Sequence, residues 1–388
     1  MDFGLTPEQE KMVAIAKKVA EEEFAPHIHE LDENPSLLRN LFKKVCELGV
    51  GVGIIIPRKY GGNEAGHLTR MLVNIEFSKV YAPMGLVLQT VPMGLWALLH
   101  FGNEEQREKY ILPVVKGERM ACLAITEPTG GSDVTTIRTT AKKVGKEYIV
   151  NGSKVFITLA PEADFCIFTA KTKENPSEIS LFLVEKGTEG FIQRVIDKRR
   201  GLQGAQVGNI TFKDCKIPEE NLIGKEGQGI RAALKSVVEV GRLGNTALAI
   251  GIAESAFEKT LKFLKERKLY GGKPLAGLQT IQFELVNMRM EIEASKLLAY
   301  RAAWLLDQGK TGLEAGGEIA TAKVYSSETA KKVAFKVISL CGAYGTLTEF
   351  NLVKFLEYAL ETDPAAGANN ICRMLIGREL TGVFTIGG

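Results

Sequence analysis

Two apolar runs enclose an Asn-Gly pair in the stretch Tyr148-Ile149-Val150-Asn151-Gly152-Ser153-Lys154-Val155-Phe156-Ile157-Thr158. An Asn-Gly pair between two such runs is the strongest short signal of a hairpin turn. We therefore predict a β-hairpin that turns at Asn151-Gly152. In the second run, strand alternation places Phe156 and Thr158 on one face. An aromatic ring beside a hydroxyl on one face suits a planar cofactor, although a strand considered alone is more often part of a core.

This β segment lies between two helical regions. Further β-type runs occur at 179–184 and 207–212, and together they indicate a middle β domain that ends near residue 222. Before it, Thr6-Pro7-Glu8-Gln9 carries a helix cap, and Pro57 with Gly61-Gly62 interrupts the helical pattern once. After it, apolar residues recur at helical spacing, and four long helices indicate a bundle.

The predicted fold class is therefore α+β in the order α, β, α. We expect an N-terminal helical domain at 1–119, a middle β-barrel or sandwich domain at 120–228 and a C-terminal four-helix bundle at 229–388. No βαβ alternation is present, so the glycine cluster at 224–229 is interpreted as a loop-to-helix hinge and not as a nucleotide-binding loop.

Composition narrows the class of protein. The chain has 388 residues, 45% hydrophobic and 24% charged, with a net charge of +3. This balance is typical of a soluble globular protein and argues against a nucleic-acid partner. We find no continuous apolar run of membrane-spanning length, and we expect no membrane partner. No signal or transit peptide is recognised, so we expect a cytoplasmic protein.

Cysteines and histidines give no metal-binding pattern. The six cysteines are scattered without a CxxC pair, and we expect them to be reduced and mostly buried. His27 and His29 are the only near pair of histidines, and two residues apart on a helix they point to different faces. We expect no metal site.

The segment Ile125-Thr126-Glu127-Pro128-Thr129-Gly130-Gly131-Ser132-Asp133 is a turn of small and hydroxyl residues. Such a turn can bind a flavin edge and a phosphate, or it can simply lead into the β domain. In order along the chain, the motifs ITEPxxGSD, NGxKxFIT and RxxxG (Arg267 to Gly271) resemble those of the FAD-dependent acyl-CoA dehydrogenase family. Gly342-Ala343-Tyr344-Gly345, near the start of a late helix, and the ending 371–378 add to the resemblance, which covers essentially the whole chain.

The resemblance implies FAD between the β domain and the bundle. It implies that Thr126 and Thr158 bond the isoalloxazine ring, that Phe156 stacks on it, and that Ser132 lies near the pyrophosphate and the CoA. Arg267, Tyr270 and Gln279 match residues that reach the FAD of a neighbouring subunit, which implies a dimer or, more typically, a homotetramer built as a dimer of dimers. The remaining implied contacts to FAD are Ile125, Gly131, Gly342 and Gly345, and the implied substrate contacts are Ser132, Glu239, Arg242, Ala366 and Gly367.

The departures from the family concern catalysis. The family's Tyr-Glu-Gly-Thr motif, whose glutamate removes the α-proton of the thioester, aligns with Ala365-Ala366-Gly367-Ala368. Some members place the base just before the helix arginine, and that position is Gly241. Leu159 replaces an asparagine that usually follows the FIT triplet, and Ser339 stands near the position of a common cofactor-binding glutamine.

These departures suggest a relocated base. Asp363 is the nearest acid on the rebuilt loop and is our candidate, although a solvent-facing acid is the commoner explanation. Residues 88–91 are expected to line the pocket floor and contain no carboxylate. Small residues around Ala366 suggest a branched or alicyclic acyl group.

Three functions stay open. The first is an FAD-dependent acyl-CoA dehydrogenase that passes electrons to an electron-transferring flavoprotein. The second is a flavin-dependent oxidase or monooxygenase. The third is a non-catalytic flavoprotein that binds acyl-CoA.

Overall fold

A computed structural model describes residues 4–173, 178–196, 199–269 and 271–383. The N-terminal part is helical, as predicted. Its helices are α1 Pro7–Val19, α2 Ile28–Glu33, α3 Pro35–Glu47, α4 Gly66–Val80, α5 Ala82–Phe101 and α6 Glu104–Val115. The predicted cap is present: the Thr6 hydroxyl accepts from the Gln9 N–H, and the Gln9 side chain accepts from the Thr6 N–H.

Strands of the middle part form one mixed sheet. They are β1 Ala121–Ala124, β2 Thr140–Val144, β3 Glu147–Thr158, β4 Phe165–Lys173, β5 Glu178–Glu185, β6 Phe191–Val195, β7 Val207–Pro218 and β8 Leu222–Ile223. The order is β6-β7-β3-β2-β4-β5-β8, with β1 paired in parallel to β4. A cluster of buried aromatic residues, including Phe168, Phe182 and Phe212, fills one face.

The prediction of a hairpin at Asn151-Gly152 is wrong. Residues 147–158 form the single strand β3, and the tight turn lies six residues earlier, at Gly145-Lys146 between β2 and β3. Gly152 has φ 149° and allows a shift in the register against β7, while a Cβ there would lie 2.4 Å from the Thr139 hydroxyl oxygen. The glycine is therefore required for a bulge and a close approach of two strands.

The C-terminal part is the predicted helical bundle. Its helices are α7 Gly229–Ser236, α8 Leu243–Glu266, α9 Gln279–Asp307, α10 Gly316–Leu340, α11 Val353–Glu361 and α12 Asn369–Thr381. A π-helical turn, Val237–Arg242, joins α7 to α8, and a small hairpin of β9 Lys268–Leu269 and β10 Lys273–Pro274 follows α8. The longest of these helices are α8, α9 and α10, and the shorter α11 and α12 pack on α10.

The expectation that the sequence has no apolar run of membrane-spanning length is wrong for helix α5. Its 20 residues have a mean hydropathy of 1.4 over the most apolar window, so length and composition alone would allow it to cross a membrane. However, 83% of that window is buried inside the protein, as in the core helix of a soluble domain. The helix packs against α4, α7, α8 and β1 and forms the centre of the structure.

Candidate active site

Phe156 stands out on β3 because its large apolar ring is 70% exposed. The pairing of β3 with β7 shifts in register between Lys154 and Ile157, and Phe156 has φ 57°. A bulge of this kind redirects a side chain, and a left-handed conformation is strained for a bulky residue. The strand thus presents an uncovered ring beside Thr158, which fits the stacking of a planar cofactor.

The turn that precedes this strand lies directly against it. Thr126 accepts a hydrogen bond at its carbonyl from the Val155 N–H (3.0 Å), and Glu127 pairs with Gly130 across the turn. Ile125 is buried in the core, whereas Gly131 and Ser132 are exposed. The structure therefore places Thr126 against the strand that carries Phe156 and Thr158. The contacts of Thr126, Ser132, Phe156 and Thr158 with the flavin and the CoA stay predictions.

A buried ion pair holds the turn and the strand together. Lys154 Nζ donates to the Glu127 carboxylate (2.7 Å), to the Ile125 carbonyl (3.2 Å) and to the Thr169 hydroxyl (3.1 Å). Glu127 also accepts from the backbone N–H groups of residues 138 and 139. The sequence motifs contain both Glu127 and Lys154, but they did not predict that the two side chains form an ion pair.

The pKa shifts are consistent with an ionised pair. Burial lowers the pKa of Lys154 to about 8, against the raising effect of Glu127. Burial alone would raise the pKa of Glu127, but the charge and hydrogen bonds of Lys154, Thr139 and Arg138 bring it below its usual value. Both groups are therefore charged near pH 7, and each is fully hydrogen-bonded.

Gly241 and Ala366 converge at one point of the structure. Gly241 lies in the π-helical turn, and a Cβ placed on it would be 3.4 Å from the Ala366 Cβ and 3.0 Å from the Met93 sulfur. The two alternative positions of the family's glutamate thus open into the same space. In this protein that space contains the apolar side chain of Met93, a residue that sequence reasoning missed.

Several side chains fix the loop that carries Ala366. Arg242 Nε donates to the Ala366 carbonyl (3.3 Å), and Asn245 Nδ2 donates to the Thr362 carbonyl (2.8 Å). Lys323 Nζ donates to the carbonyls of Asp363 (2.6 Å) and Gly367 (3.0 Å) and to the side chain of Asn369. Burial lowers the pKa of Lys323 to about 8.

Ala366 itself is in the left-handed region with φ 54°, and Gly367 follows with φ 94°. Within the described ranges, the N–H of Ala366 has no hydrogen-bond acceptor. A strained residue on a tightly held loop with a free N–H is typical of a functional site. This N–H can donate to the oxygen of a bound carbonyl.

Asp363 lies on the same loop, but its carboxylate contacts Lys331 on α10 (2.5 Å). Partial burial alone would raise the pKa of Asp363, but the hydrogen bond and charge of Lys331 leave it below the usual value. An ion-paired carboxylate with a lowered pKa is a weaker base. The catalytic role of Asp363 stays a prediction.

Glu239 is buried and its carboxylate is used by protein groups. It accepts from Trp96 Nε1 (2.7 Å), Lys235 Nζ (2.8 Å) and the Gly312 N–H (2.7 Å). These bonds connect α5, α7 and the turn between α9 and α10. A direct contact of Glu239 with substrate stays a prediction.

The residues predicted to serve a neighbouring subunit lie beyond α8. Arg267 is exposed and its guanidinium stacks 5.2 Å from the centre of the Tyr344 ring, which brings it to the segment of Gly342 and Gly345. Gln279 is exposed at the start of α9, and Tyr270 lies outside the described residues. The 342–346 segment follows the end of α10, so its predicted place near the start of a helix is wrong.

Leu159 occupies the position where the family usually has asparagine. Its φ is 63°, and its side chain is fully buried. Asparagine adopts the left-handed region more readily than other non-glycine residues. Here the burial of the leucine side chain offsets that strain.

The structure also shows the environment of the six cysteine thiols and of the possible metal ligands. All six cysteines are free and buried, which agrees with the prediction of mostly buried, reduced thiols. Over the described ranges, no group of three or more His, Cys, Asp or Glu side chains is arranged to hold a metal ion. His27 and His29 are exposed.

Three family models match the chain from end to end. The acyl-CoA dehydrogenase N-terminal domain matches residues 6–118, the middle domain 122–215 and the C-terminal domain 227–381.

Characterised relatives cover almost the whole chain. An acyl-CoA dehydrogenase from Bacillus subtilis is 36% identical over 97% of this chain and 99% of its own. A cyclohex-1-ene-1-carbonyl-CoA dehydrogenase from Syntrophus aciditrophicus is 36% identical (97% and 90%). The CarC subunit of a caffeyl-CoA reductase-Etf complex from Acetobacterium woodii is 34% identical (96% and 98%).

Solved structures agree. Butyryl-CoA dehydrogenase from Megasphaera elsdenii superposes with a TM-score of 0.92 at 32% identity, covering 98% of this chain and 100% of its own. The FAD complex of PigA has a TM-score of 0.91 at 31% identity (98% and 99%).

The fold, the family models and the FAD complex among the similar structures place this chain among the FAD-dependent oxidoreductases. More particularly, the chain belongs to the acyl-CoA dehydrogenase family, and FAD is its cofactor.

Proposed function

We propose that this protein oxidises, or in the reverse direction reduces, the bond between the α- and β-carbons of an acyl-CoA thioester. When bound, FAD would accept the hydride that leaves the β-carbon. The observation that carries the proposal is the strained, tightly bonded loop that presents the free N–H of Ala366 beside Gly241 and Arg242. One such donor to a developing oxyanion stabilises the transition state by about 3–4 kcal/mol.

The second half of the reaction needs a base for the α-proton. A positioned general base contributes about 10²–10⁴-fold, and neither Gly241 nor Ala366 supplies a carboxylate. We propose that the base has moved and keep Asp363 as the candidate. To reach a substrate, its carboxylate would have to leave Lys331.

Gly241, Gly244 and Ala366 form a wall of small residues, which supports a branched or alicyclic acyl group. Met93 and Gln89 contact this wall from α5, and methionine is a flexible side chain that repacks readily. The relative named as a cyclohex-1-ene-1-carbonyl-CoA dehydrogenase supports the same proposal.

We propose an electron-transferring flavoprotein as the redox partner, supported by the Etf complex to which the relative CarC belongs. We also propose a homotetramer. Its support is a stripe of exposed apolar residues along α9: Phe283, Val286, Met290, Leu297 and Trp304. The six reduced thiols support a cytoplasmic location.

The test is anaerobic mixing of the FAD-loaded protein with straight-chain, branched and alicyclic acyl-CoA thioesters. We expect at least one thioester to bleach the flavin absorption. Addition of an electron-transferring flavoprotein should restore the absorption. Rapid peroxide formation or a hydroxylated product in air would favour an oxidase or monooxygenase. Tight thioester binding without any bleaching would favour a non-catalytic flavoprotein.

A further inference from the structure

A row of buried polar side chains lines one face of α4. His67, Arg70, Asn74 and Ser78 follow helical spacing and are almost completely buried where α4 packs against α5 and α8. Asn74 donates to the Gly244 carbonyl (3.4 Å), and Ser78 bonds to Asn74 (3.3 Å). The interior beside the small-residue wall is therefore polar on the side of α4.

Arg70 is the least satisfied member of this row. Its side chain is 3% exposed, and its Nη2 donates to the Val240 carbonyl (3.0 Å). Nε and Nη1 are buried without any partner, and in the described part of the chain Arg70 makes no ion pair. The charge of Asp307 raises the pKa of Arg70, but the two side chains form no ion pair. The Asp307 oxygens instead accept from the backbone N–H groups of His67 (2.6 Å) and Leu68 (3.0 Å).

The charge on Arg70 remains at neutral pH. Burial lowers the pKa of Arg70 to about 10, so the guanidinium is protonated. Burying a charged group without a partner is strongly unfavourable, and arginine is the side chain that best matches a carboxylate with two parallel hydrogen bonds. The two unpaired nitrogens are therefore free to bind an anion that enters the site.

Contacts place this guanidinium next to the proposed acyl site. Val240, which accepts from Arg70, directly precedes Gly241, and Gly241 contacts Met93 of α5. His67 lies one turn before Arg70 on α4, and Trp96 lies one turn after Met93 on α5. Their rings are 5.1 Å apart, so Arg70 and Met93 are at the same level of the antiparallel α4–α5 pair. One turn before Met93, Gln89 packs on Gly244 and has a buried Oε1 without a partner.

We propose that Arg70 binds a carboxylate at the far end of the acyl group, so that the substrate is the CoA half-thioester of a short dicarboxylic acid. This inference rests on the proposed function and specifies its substrate. Met93 lies against Gly241 in this space, and its flexible thioether would have to move aside when the acyl group enters. A purely apolar acyl group offers the guanidinium no anion and gains nothing from Arg70, so the preference comes from tighter binding of the dicarboxylic thioester.

Binding constants test the proposal without requiring turnover. The FAD-loaded wild-type protein is titrated with succinyl-, glutaryl- and adipyl-CoA and with butyryl-, pentanoyl- and hexanoyl-CoA, which match them in carbon number. We expect at least one dicarboxylic thioester to bind tenfold or more tightly than its matched partner. Arg70→Gln should remove this preference and change the Kd of the monocarboxylic thioester less than threefold.

Two further variants sharpen the result. Arg70→Lys keeps the charge and should retain part of the preference, whereas Arg301→Gln removes a surface arginine that pairs with Glu318 and should retain all of it. If Arg70→Gln fails to fold, the six wild-type constants still decide. Equal or better binding of every monocarboxylic thioester overturns this inference alone, whereas no binding of any thioester overturns the proposed function as well.

Discussion

The Cβ of Ala366 lies 3.4 Å from the position that a Cβ on Gly241 would occupy, although the two residues are far apart in the sequence. The loop after α11 and the π-helical turn before α8 therefore face each other across one small volume. A carboxylate on either residue could reach the same α-carbon. Neither residue carries one, and the side chain of Met93 lies in the same space.

Restoring the glutamate should restore a base. We expect Ala366→Glu to increase the rate of flavin bleaching by butyryl-CoA, because the loop, Arg242 and Lys323 are already in place. The gain should stay below the roughly 10²–10⁴-fold that a general base contributes over no base, because the wild type is proposed to carry a relocated base. Gly241→Glu should give a smaller gain, because its Cβ would crowd the Met93 sulfur at 3.0 Å. Stopped-flow absorbance measures both rates.

The control for this experiment is Ala366→Gln, which has the same shape without the charge. It should bleach the flavin no faster than the wild type. If Ala366→Glu and Ala366→Gln behave alike, the volume between Gly241 and Ala366 is not where the α-proton is removed.

The buried pair of Lys154 and Glu127 should be essential for the flavin site. Lys154→Met leaves the Glu127 carboxylate buried without its cation, which costs about 3–5 kcal/mol of unfolding free energy. Because the pair joins the 125–133 turn to β3, we also expect the variant to retain less FAD per chain. Urea unfolding and flavin absorbance measure the two effects.

Lys142→Met on the neighbouring strand β2 serves as the control, because Lys142 is exposed. It should change the unfolding free energy by less than about 0.5 kcal/mol. A Lys154→Met protein with wild-type stability and FAD content would show that the ion pair does not hold the turn.

His67 should make stability depend on pH. Burial first, and then the charge of Arg70, lowers the pKa of His67 well below 6.5. The unfolded chain therefore binds a proton below pH 6.5 that the folded chain does not, and the unfolding free energy falls as the pH decreases. For one such histidine the loss between pH 7.5 and 5.5 is about 1.4 kcal/mol.

This contribution should disappear in His67→Met and remain in a variant of the exposed His29, His29→Gln. Urea unfolding of the three proteins at the two pH values makes the comparison. An identical pH dependence in wild type and His67→Met would mean that His67 is protonated in the folded state.

The apolar stripe on α9 should be an interface between copies of this chain. Phe283 is 60% exposed, and a charge placed there would be buried in the assembly without a partner. We expect Phe283→Glu to reduce the mass measured by light scattering after size exclusion. Leu313→Glu, at a residue that is 95% exposed between α9 and α10, should leave the mass unchanged. A wild-type protein that is monomeric at micromolar concentration would refute the tetramer.

Sequence reasoning recovered the order of domains because periodicity and caps are local signals, as the capping box at Thr6 shows. It failed at Asn151-Gly152, where the glycine serves a contact with Thr139 that lies outside the local sequence. The same limit applies to the active site. Alignment with family motifs identified Gly241 and Ala366, but the positions of Met93, Lys154 and Arg70 depend on the packing of distant elements.

The central claim is that this site removes an α-proton without a glutamate at either position. Exchange of the α-proton tests this claim most directly. The FAD-loaded wild-type protein is incubated anaerobically in D₂O with a branched or alicyclic acyl-CoA, and mass spectrometry measures deuterium at the α-carbon. We predict that the protein incorporates deuterium well above the rate in buffer. If Asp363 is the base, Asp363→Asn should slow this incorporation at least tenfold. Exchange no faster than in buffer for every thioester that binds, together with rapid exchange by Ala366→Glu, would contradict the account.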